Sequence, residues 1–376
     1  MIAENNKSLT MYRAIAQDAV RQRLQQFIAA RRLPHALLFC GPEGCGKLAM
    51  AVEFAVDLVK LDADERGKRM ADALQHPDLH FVFPVYKPEG SSSAPTSELF
   101  MAEWRDAIRN SCYFDLPAWV GKLTKEARKV QIYAEESARI VHKLNLMSSQ
   151  GGYKVMVIWL PEFMHESCAN KILKILEEPP QHTVFILVSE HPERLLDTIV
   201  SRCQRIDFKG LADAEIEEAL CAQRGLDPSM ARTIAHSAAG SYTRALQLIS
   251  VSADEALFFS MFVLLMRKCY LRDIREMRDW ARQVSEWGRE RQKDFLAYCQ
   301  RLIRENFMYN FHRPELNYLS EQENQFSVNF ARFVNERNVI PIMDELSQAQ
   351  RDIEQNTNSQ MVFFDFALRM IVLLIQ

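Results

Sequence analysis

Hydrophobic and polar residues follow two different periods along this chain, and the change falls near residue 210. Before it, stretches of helical period alternate with short apolar runs, which predict buried strands at residues 35–40, 79–85, 154–160, 183–189 and 204–208. Strands that alternate with helices indicate a parallel sheet covered by helices. After residue 210 no run predicts a strand, and the apolar residues keep a helical period. The pattern therefore predicts an α/β fold followed by all-α domains.

We place the domain boundaries at these changes of pattern. The α/β domain is expected over residues 1–209, a small helical domain over residues 210–252 and a larger helical domain over residues 253–376. Around the second boundary the pattern predicts two separate helices, at residues 243–249 and 257–271.

Residues 86–130 interrupt the alternation of strands and helices and read as an insertion in the α/β domain. The insertion is rich in aromatic residues, and so much aromatic surface requires burial. We expect it to fold back on its own domain, and a contact with a partner protein is the alternative.

The candidate site lies between the first predicted strand and the helix after it. Gly41, Gly44, Gly46 and Lys47 fit the spacing GxxxxGK. Glycines there let backbone N–H groups converge on one point, and the helix N-terminus and the lysine add positive charge. The stretch therefore predicts a P-loop, a cradle for phosphate. Active P-loops continue with Ser or Thr, whose hydroxyl binds Mg²⁺, and Leu48 has no oxygen to offer.

Composition and charge limit the other possibilities. A net charge of −3 is unusual for a protein that grips DNA mainly with its own surface, so any role with nucleic acid is expected to be shared or indirect. No two of the eight cysteines are spaced as CxxC, which argues against a zinc ribbon or a disulfide framework. Residues 1–10 lack the apolar core of a signal peptide, and the apolar run 361–375 contains Asp365 and Arg369. We therefore expect a cytoplasmic protein without a membrane span.

Four stretches together resemble the clamp-loader family of AAA+ proteins in bacterial DNA polymerase III, and most closely its delta-prime branch. The resemblance covers about residues 12 to 208. The stretches are the entry to the P-loop (residues 32–47), His76-Pro77-Asp78-Leu79, the helix ending in Glu177-Glu178-Pro179-Pro180, and the Ser201-Arg202-Cys203 motif.

The resemblance implies an AAA+ P-loop domain, a lid domain and a collar domain through which subunits assemble. It implies a hetero-pentamer with gamma/tau ATPase and delta subunits that loads the sliding clamp on primed DNA during DNA replication. In this family the arginine of the Ser-Arg-Cys motif reaches the ATP of a neighbouring subunit. Arg202, with Ser201 and Cys203, is therefore the candidate arginine finger in trans. The alternative is that Arg202 pairs with a nearby carboxylate at a strand end.

The departures from the family pattern fall where active members bind Mg²⁺ and ATP. Trp159 and Leu160 occupy the places of an Asp-Glu pair, and Thr243 occupies the place of a sensor arginine. Residues 60–75 contain no cysteine, which implies that the zinc module of many relatives is lost. Together with Leu48 these changes imply no bound metal, no cofactor, no ATPase activity of the chain itself, and a cradle that is empty or holds only an anion.

Two other interpretations remain open. The chain could be an active ATPase of the gamma/tau type that uses a substitute ligand such as Glu162, which the retained Lys47 favours. It could also be a P-loop scaffold outside replication, against which the Ser201-Arg202-Cys203 motif stands.

Overall fold

The computed structural model describes residues 12–90, 93–124, 128–146, 148, 151–311 and 319–374, so that the amino-terminal stretch 1–10 lies outside the described residues. The chain divides into two compact units, Met1–Leu248 and Ile249–Gln376. The boundaries expected at residues 209 and 252 remain predictions.

The first unit is built on a parallel sheet. The described strands are β1 (Ala36–Cys40), β2 (Leu79–Val82), β3 (Val85–Tyr86), β4 (Val130–Gln131), β5 (Lys154–Trp159), β6 (Thr183–Ser189) and β7 (Gln204–Asp207). Five of them form one parallel sheet in the order β2-β5-β6-β1-β7, with Leu38 opposite Leu187 in the β1–β6 register. Every residue of β1, β5 and β6 is buried, as expected for parallel strands covered on both faces. The predicted α/β fold with a parallel sheet is confirmed.

Helices cover both faces of this sheet. Those before the second unit are α1 (Asp18–Ala29), α2 (Lys47–Lys60), α3 (Glu65–Asp72), α4 (Met101–Asn110), α5 (Leu116–Leu123), α6 (Ala134–Asn145), α7 (Glu166–Glu177), α8 (Asp197–Val200), α9 (Asp213–Arg224) and α10 (Pro228–Ala238). Short 3-10 turns cover Ser97–Phe100, Pro161–Phe163 and Pro192–Arg194. Ile172 and Leu176 of α7 share one core cluster with Leu38 and Leu187, whereas α2 packs on β5 and β6.

The prediction of one strand over residues 79–85 was wrong in its extent. β2 ends at Val82, and the chain turns at Phe83 and Pro84 before β3. Pro84 has no N–H to donate to a neighbouring strand. The backbone groups of Phe83 form their hydrogen bonds with the Ser97 hydroxyl. That hydroxyl accepts from the Phe83 N–H (3.1 Å) and donates to the Phe83 carbonyl (3.2 Å).

The predicted insertion is closed at its base. β3 and β4 pair antiparallel, with Val85 opposite Gln131, and so bring the two ends of the segment together. Ser97 is also tied to α6, because its backbone N–H donates to Glu136 Oε2 (2.7 Å). Burial raises the pKa of Glu136 above its ordinary value of 4.5, although the bonds from Ser97 partly oppose this.

The second unit is helical in its described residues. The helices are α11 (Tyr242–Leu271), α12 (Ile274–Ser285), α13 (Arg289–Tyr309), α14 (Glu321–Phe330), α15 (Val339–Glu354) and α16 (Ser359–Leu373), with a 3-10 turn at Ala331–Phe333. Residues 242–248 of α11 belong to the first unit. The two helices predicted at 243–249 and 257–271 are one, α11, because no glycine or proline interrupts residues 243–271. By length and composition alone α11 could cross a membrane, and its Phe262 and Leu265 are fully buried in the core of this unit.

A buried carboxylate links two helices of the second unit. Glu323 of α14 accepts hydrogen bonds from the Tyr298 hydroxyl (2.6 Å) and from Arg301 (2.5 Å), both on α13. Its other oxygen accepts from the Ser320 N–H (2.8 Å) and completes a capping box. Burial alone would raise the pKa of Glu323, but these bonds outweigh it and lower the pKa.

Candidate functional site: a closed phosphate cradle

The candidate cradle lies between β1 and α2, as a P-loop requires. Gly44 and Gly46 both have left-handed backbones, with φ of 72° and 97°. A Cβ on Gly44 would lie 2.1 Å from Ser241 Oγ, and one on Gly46 would lie 3.0 Å from Tyr113 Oη. Glycine is therefore required by both the turn and its close neighbours. The predicted residues Gly41, Gly44, Gly46 and Lys47 thus lie together in one strand–loop–helix turn.

Lys47 is directed back onto its own loop. Its side chain is only 4% exposed, and Nζ donates to the carbonyls of Gly41 (2.7 Å) and Pro42 (2.5 Å). Glu190, which follows β6, lies 3.9 Å away and is the closest carboxylate partner recorded for this ammonium. Burial raises the pKa of Glu190, and the positive charge of Lys47 opposes that rise. The ammonium that would bind phosphate is therefore directed to carbonyl groups and to a nearby glutamate of its own chain.

The space left above the loop is too small for a phosphate group. The cavity beside the loop measures about 20 Å³. It is lined by residues of the P-loop, of the insertion and of the strand ends nearby: Gly44, Gly46, Lys47, Leu48, Cys112, Tyr113, Phe114, Trp159, Val188, Glu190 and Thr243. That volume suits about one water molecule, whereas sites for small ligands measure about 300–1,000 Å³.

Aromatic residues of the insertion fill the cradle. The Tyr113 ring packs edge-on against Tyr242 at the start of α11, with ring centroids 4.9 Å apart. Its hydroxyl accepts a hydrogen bond from the Ile15 N–H (2.7 Å), and burial raises the pKa of Tyr113. Phe114 packs edge-on against Trp159, with centroids 5.3 Å apart. The insertion therefore folds back on its own domain, and its rings lie against the P-loop. Sequence reasoning missed this contact, for which the aromatic content was the single available signal.

Behind these rings lies a cluster of tryptophans. Trp104 stacks on Phe83 with centroids 4.2 Å apart and contacts Trp159 and Trp119. Trp104 and Trp119 are both fully buried. The indole N–H of Trp119 donates to the Pro84 carbonyl (2.8 Å), whereas that of Trp104 has no acceptor among the described residues. The cluster makes the closure of the cradle part of the core.

The four positions at which the resemblance implies lost Mg²⁺ and ATP groups are also buried. Leu48, Trp159 and Leu160 are core residues with no oxygen in their side chains, and Thr243 brings only a hydroxyl. Glu162 is bonded through Oε1, which accepts from the backbone N–H groups of Glu190 (2.9 Å) and His191 (3.2 Å), whereas its buried Oε2 has no partner among the described residues. None of the side chains at these four positions carries a carboxylate.

Arg202 does not line the cradle of its own chain. One terminal nitrogen donates to the Thr198 carbonyl (2.8 Å), and the other lies 2.6 Å from Glu177 Oε1. Both side chains of this ion pair are partly exposed. Ser201 is exposed, and burial raises the pKa of the Cys203 thiol to about 12, which keeps it protonated at neutral pH.

Other parts of the described chain offer less chemistry. No cluster of three or more His, Cys, Asp or Glu suited to a metal ion occurs among the described residues. A larger groove of about 780 Å³ lies in the second unit, but the described residues that line it include no carboxylate, imidazole or thiol. The cradle and Arg202 are therefore the candidate functional features.

Comparison with known proteins places these features in context. The sequence matches the family described as "DNA polymerase III, delta subunit" over residues 16–212. It is similar to DNA polymerase III subunit delta′ of Bacillus subtilis (strain 168), with 31% identity over 226 residues, 58% of this chain and 55% of that protein. It is also similar to subunit tau of the same organism, with 27% identity over 65% of this chain and 37% of that protein. The chain thus spans about half the length, or less, of these curated relatives.

Among solved structures, the chain is similar to a DNA polymerase III gamma subunit-related protein from Thermotoga maritima. It covers 93% of this chain and 99% of its own, at 15% identity and a TM-score of 0.36.

Proposed function

Because the chain belongs to the family of DNA polymerase III delta subunits, we propose that it is a delta-prime subunit of a clamp loader and does not itself hydrolyse ATP. The predicted resemblance to the clamp-loader family is confirmed, since the family match covers residues 16–212, more than half of the chain. The similarity to the delta′ subunit of Bacillus subtilis supports the delta-prime branch. We further propose a cytoplasmic hetero-pentamer with gamma/tau and delta subunits, which loads the sliding clamp on primed DNA.

The observation that carries the proposal is the closed cradle. Phosphoryl transfer depends on positioning and on neutralising the charge of the phosphates, and a cavity of about 20 Å³ leaves no room for the triphosphate that has to be positioned. Leu48, Trp159 and Leu160 also offer no side-chain oxygen where the resemblance implies Mg²⁺ ligands. The alternative of an active ATPase uses Glu162 as a substitute ligand, but one oxygen of that carboxylate is held by the backbone after β6, which leaves only the other oxygen for a metal ion.

The proposed contribution to catalysis is Arg202, acting on the ATP of a neighbouring subunit. A guanidinium remains charged and can form two parallel bonds to phosphate oxygens. The pair with Glu177 does not oppose this role, because a partly exposed ion pair contributes only about 0–1 kcal/mol and leaves other N–H donors of the guanidinium available. Arginine fingers in trans accelerate GTPases by about 10³–10⁵.

Two assays test the proposal. The purified full chain should show no Mg²⁺-dependent ATP turnover, and it should stimulate DNA-dependent turnover when mixed with gamma/tau and delta subunits. Arg202→Ala should lower the rate of that stimulated turnover about tenfold or more, while the complex still assembles. Arg205→Ala is the matched control, because Arg205 is also exposed and paired, with Asp207 at 2.7 Å.

Turnover by the chain alone would favour the active-ATPase alternative. A failure to bind or stimulate the other subunits would favour a scaffold outside replication. Full stimulation by Arg202→Ala would remove the arginine finger from the proposal.

A further inference from the structure

We infer that Glu177 is a positioning residue that holds the Arg202 side chain ready for a neighbouring subunit, an inference that rests on the proposed function. Glu177 is the last residue of α7, and Arg202 lies between α8 and β7. The Glu177 carboxylate lies 2.6 Å from one terminal nitrogen of the Arg202 guanidinium. Two motifs that are separate in sequence thus meet through this one contact.

The backbone at Arg202 is fixed by bonds within its own segment. The N–H groups of Ser201, Arg202 and Cys203 donate to carbonyls of α8 at 2.9, 3.1 and 3.2 Å. α8 itself is anchored by Ile199, which is buried in the core of the first unit. The local turn therefore sets where the arginine side chain starts, and only the rotatable bonds of that side chain remain free.

The two terminal nitrogens of Arg202 are then held separately. One donates to the Thr198 carbonyl (2.8 Å), and the other contacts Glu177. Two contacts at two nitrogens fix the plane of the guanidinium as well as its position. A guanidinium has five N–H donors, and no further partner of Arg202 is recorded among the described residues. With 34% of its side chain exposed, Arg202 is held and still has donors for an incoming anion.

The stability of α7 gives no reason for a carboxylate at this position. The C-terminus of a helix carries partial negative charge, so an unpaired glutamate there is unfavourable. Ile172, Ile175 and Leu176 anchor α7 in the core, and Pro179 and Pro180 end it. The helix therefore presents the Glu177 carboxylate at a defined place, where Arg202 compensates its charge.

Partly exposed ion pairs add little stability, so the expected effect of this pair is on orientation. Transition-state groups depend steeply on position, and a displacement of about 1 Å can cost about 100-fold in rate. Without Glu177 the arginine keeps only the Thr198 contact and samples several rotamers. We expect Glu177→Ala to lower the kcat of the stimulated neighbour about three- to tenfold, and Glu177→Gln to lower it less, because an amide accepts a weaker bond.

The experiment uses the complete chain assembled with gamma/tau and delta subunits. We compare DNA-dependent ATP turnover of the wild type, Arg202→Ala, Glu177→Ala, Glu177→Gln and the double variant with both residues changed to alanine. Glu178→Gln, an exposed neighbour in the same motif, is the control. We expect a lower kcat with unchanged KM for ATP and unchanged assembly, and a double variant no worse than Arg202→Ala alone, because Glu177 acts only through Arg202.

The outcomes separate this inference from the proposed finger. If Arg202→Ala retains full stimulation, the finger and the role of Glu177 are both overturned. If Arg202→Ala loses stimulation but Glu177→Ala does not, only the positioning role is overturned. Additive losses in the double variant, weakened assembly, or faster turnover in Glu177→Ala would also overturn it, since they indicate a structural or an inhibitory role.

Discussion

Tyr113 is the residue whose removal most directly tests the closure of the cradle. It is buried between the P-loop and Tyr242, and its hydroxyl is the acceptor for the Ile15 N–H. Replacing a buried aromatic ring by alanine costs about 3–5 kcal/mol. Tyr113→Phe keeps the ring and leaves only the Ile15 N–H without its acceptor, which costs about 1–3 kcal/mol. We therefore expect Tyr113→Ala to destabilise the first unit more than Tyr113→Phe does.

The second effect concerns the space above the loop. Tyr113→Ala removes one wall of the 20 Å³ cavity and exposes the loop N–H groups beside Lys47. We expect weak binding of inorganic phosphate or ATP to appear, and to be independent of Mg²⁺, because Leu48, Trp159 and Leu160 still supply no ligand. Turnover of ATP should remain absent in this variant.

Hydrogen exchange read by mass spectrometry on peptides of β1 and α2 measures the stability of the first unit by itself. Equilibrium dialysis with labelled ATP, with and without Mg²⁺, measures binding. Leu99→Ala is the control, because Leu99 lies in the same insertion but is 61% exposed, so its loss should change stability by less than about 0.5 kcal/mol. The reasoning fails if Tyr113→Ala is as stable as the wild type, or if the wild type already binds Mg-ATP at this site.

Three further predictions concern buried polar groups. Trp119→Phe should destabilise the first unit by about 1–3 kcal/mol more than Trp104→Phe, because only the Trp119 N–H has an acceptor; urea unfolding measures the difference. The raised pKa of Glu136 means that the folded state binds more protons than the unfolded state above pH 4.5, so the contribution of this group to stability falls as the pH rises. Glu136→Gln should remove that pH dependence of the unfolding free energy, and the control Glu135→Gln should leave it in place. The lowered pKa of Glu323 gives the opposite sign: its contribution to stability is present above pH 4.5 and is lost as the pH falls towards its folded pKa. Glu323→Gln should abolish that loss of stability, which hydrogen exchange on peptides of the second unit measures.

Each of these has a result that contradicts it. Equal losses in the two tryptophan variants would mean that packing alone decides their cost. Unchanged pH profiles in Glu136→Gln or Glu323→Gln would mean that these carboxylates titrate alike in the folded and unfolded chains.

The sequence by itself determined the elements and their order. Burial imposes a period on neighbouring residues, and this period located β1, β5 and β6 within one residue of their observed ends. The P-loop spacing and the loss of oxygen ligands at Leu48, Trp159 and Leu160 were also local facts. Two predicted element ends were wrong: β2 ends at Val82, before Pro84, and α11 continues through a polar stretch that contains no glycine or proline.

Only the tertiary structure decided what fills the cradle and what holds the candidate arginine. Tyr113 contacts Gly46 and Tyr242, and Glu177 contacts Arg202, although each partner lies far away in the chain. Such contacts depend on the shapes of surfaces that meet after the elements have formed, and no local period of the sequence encodes them. The same reason explains why Lys47, a conventional P-loop lysine in the sequence, bonds to its own loop in the folded chain.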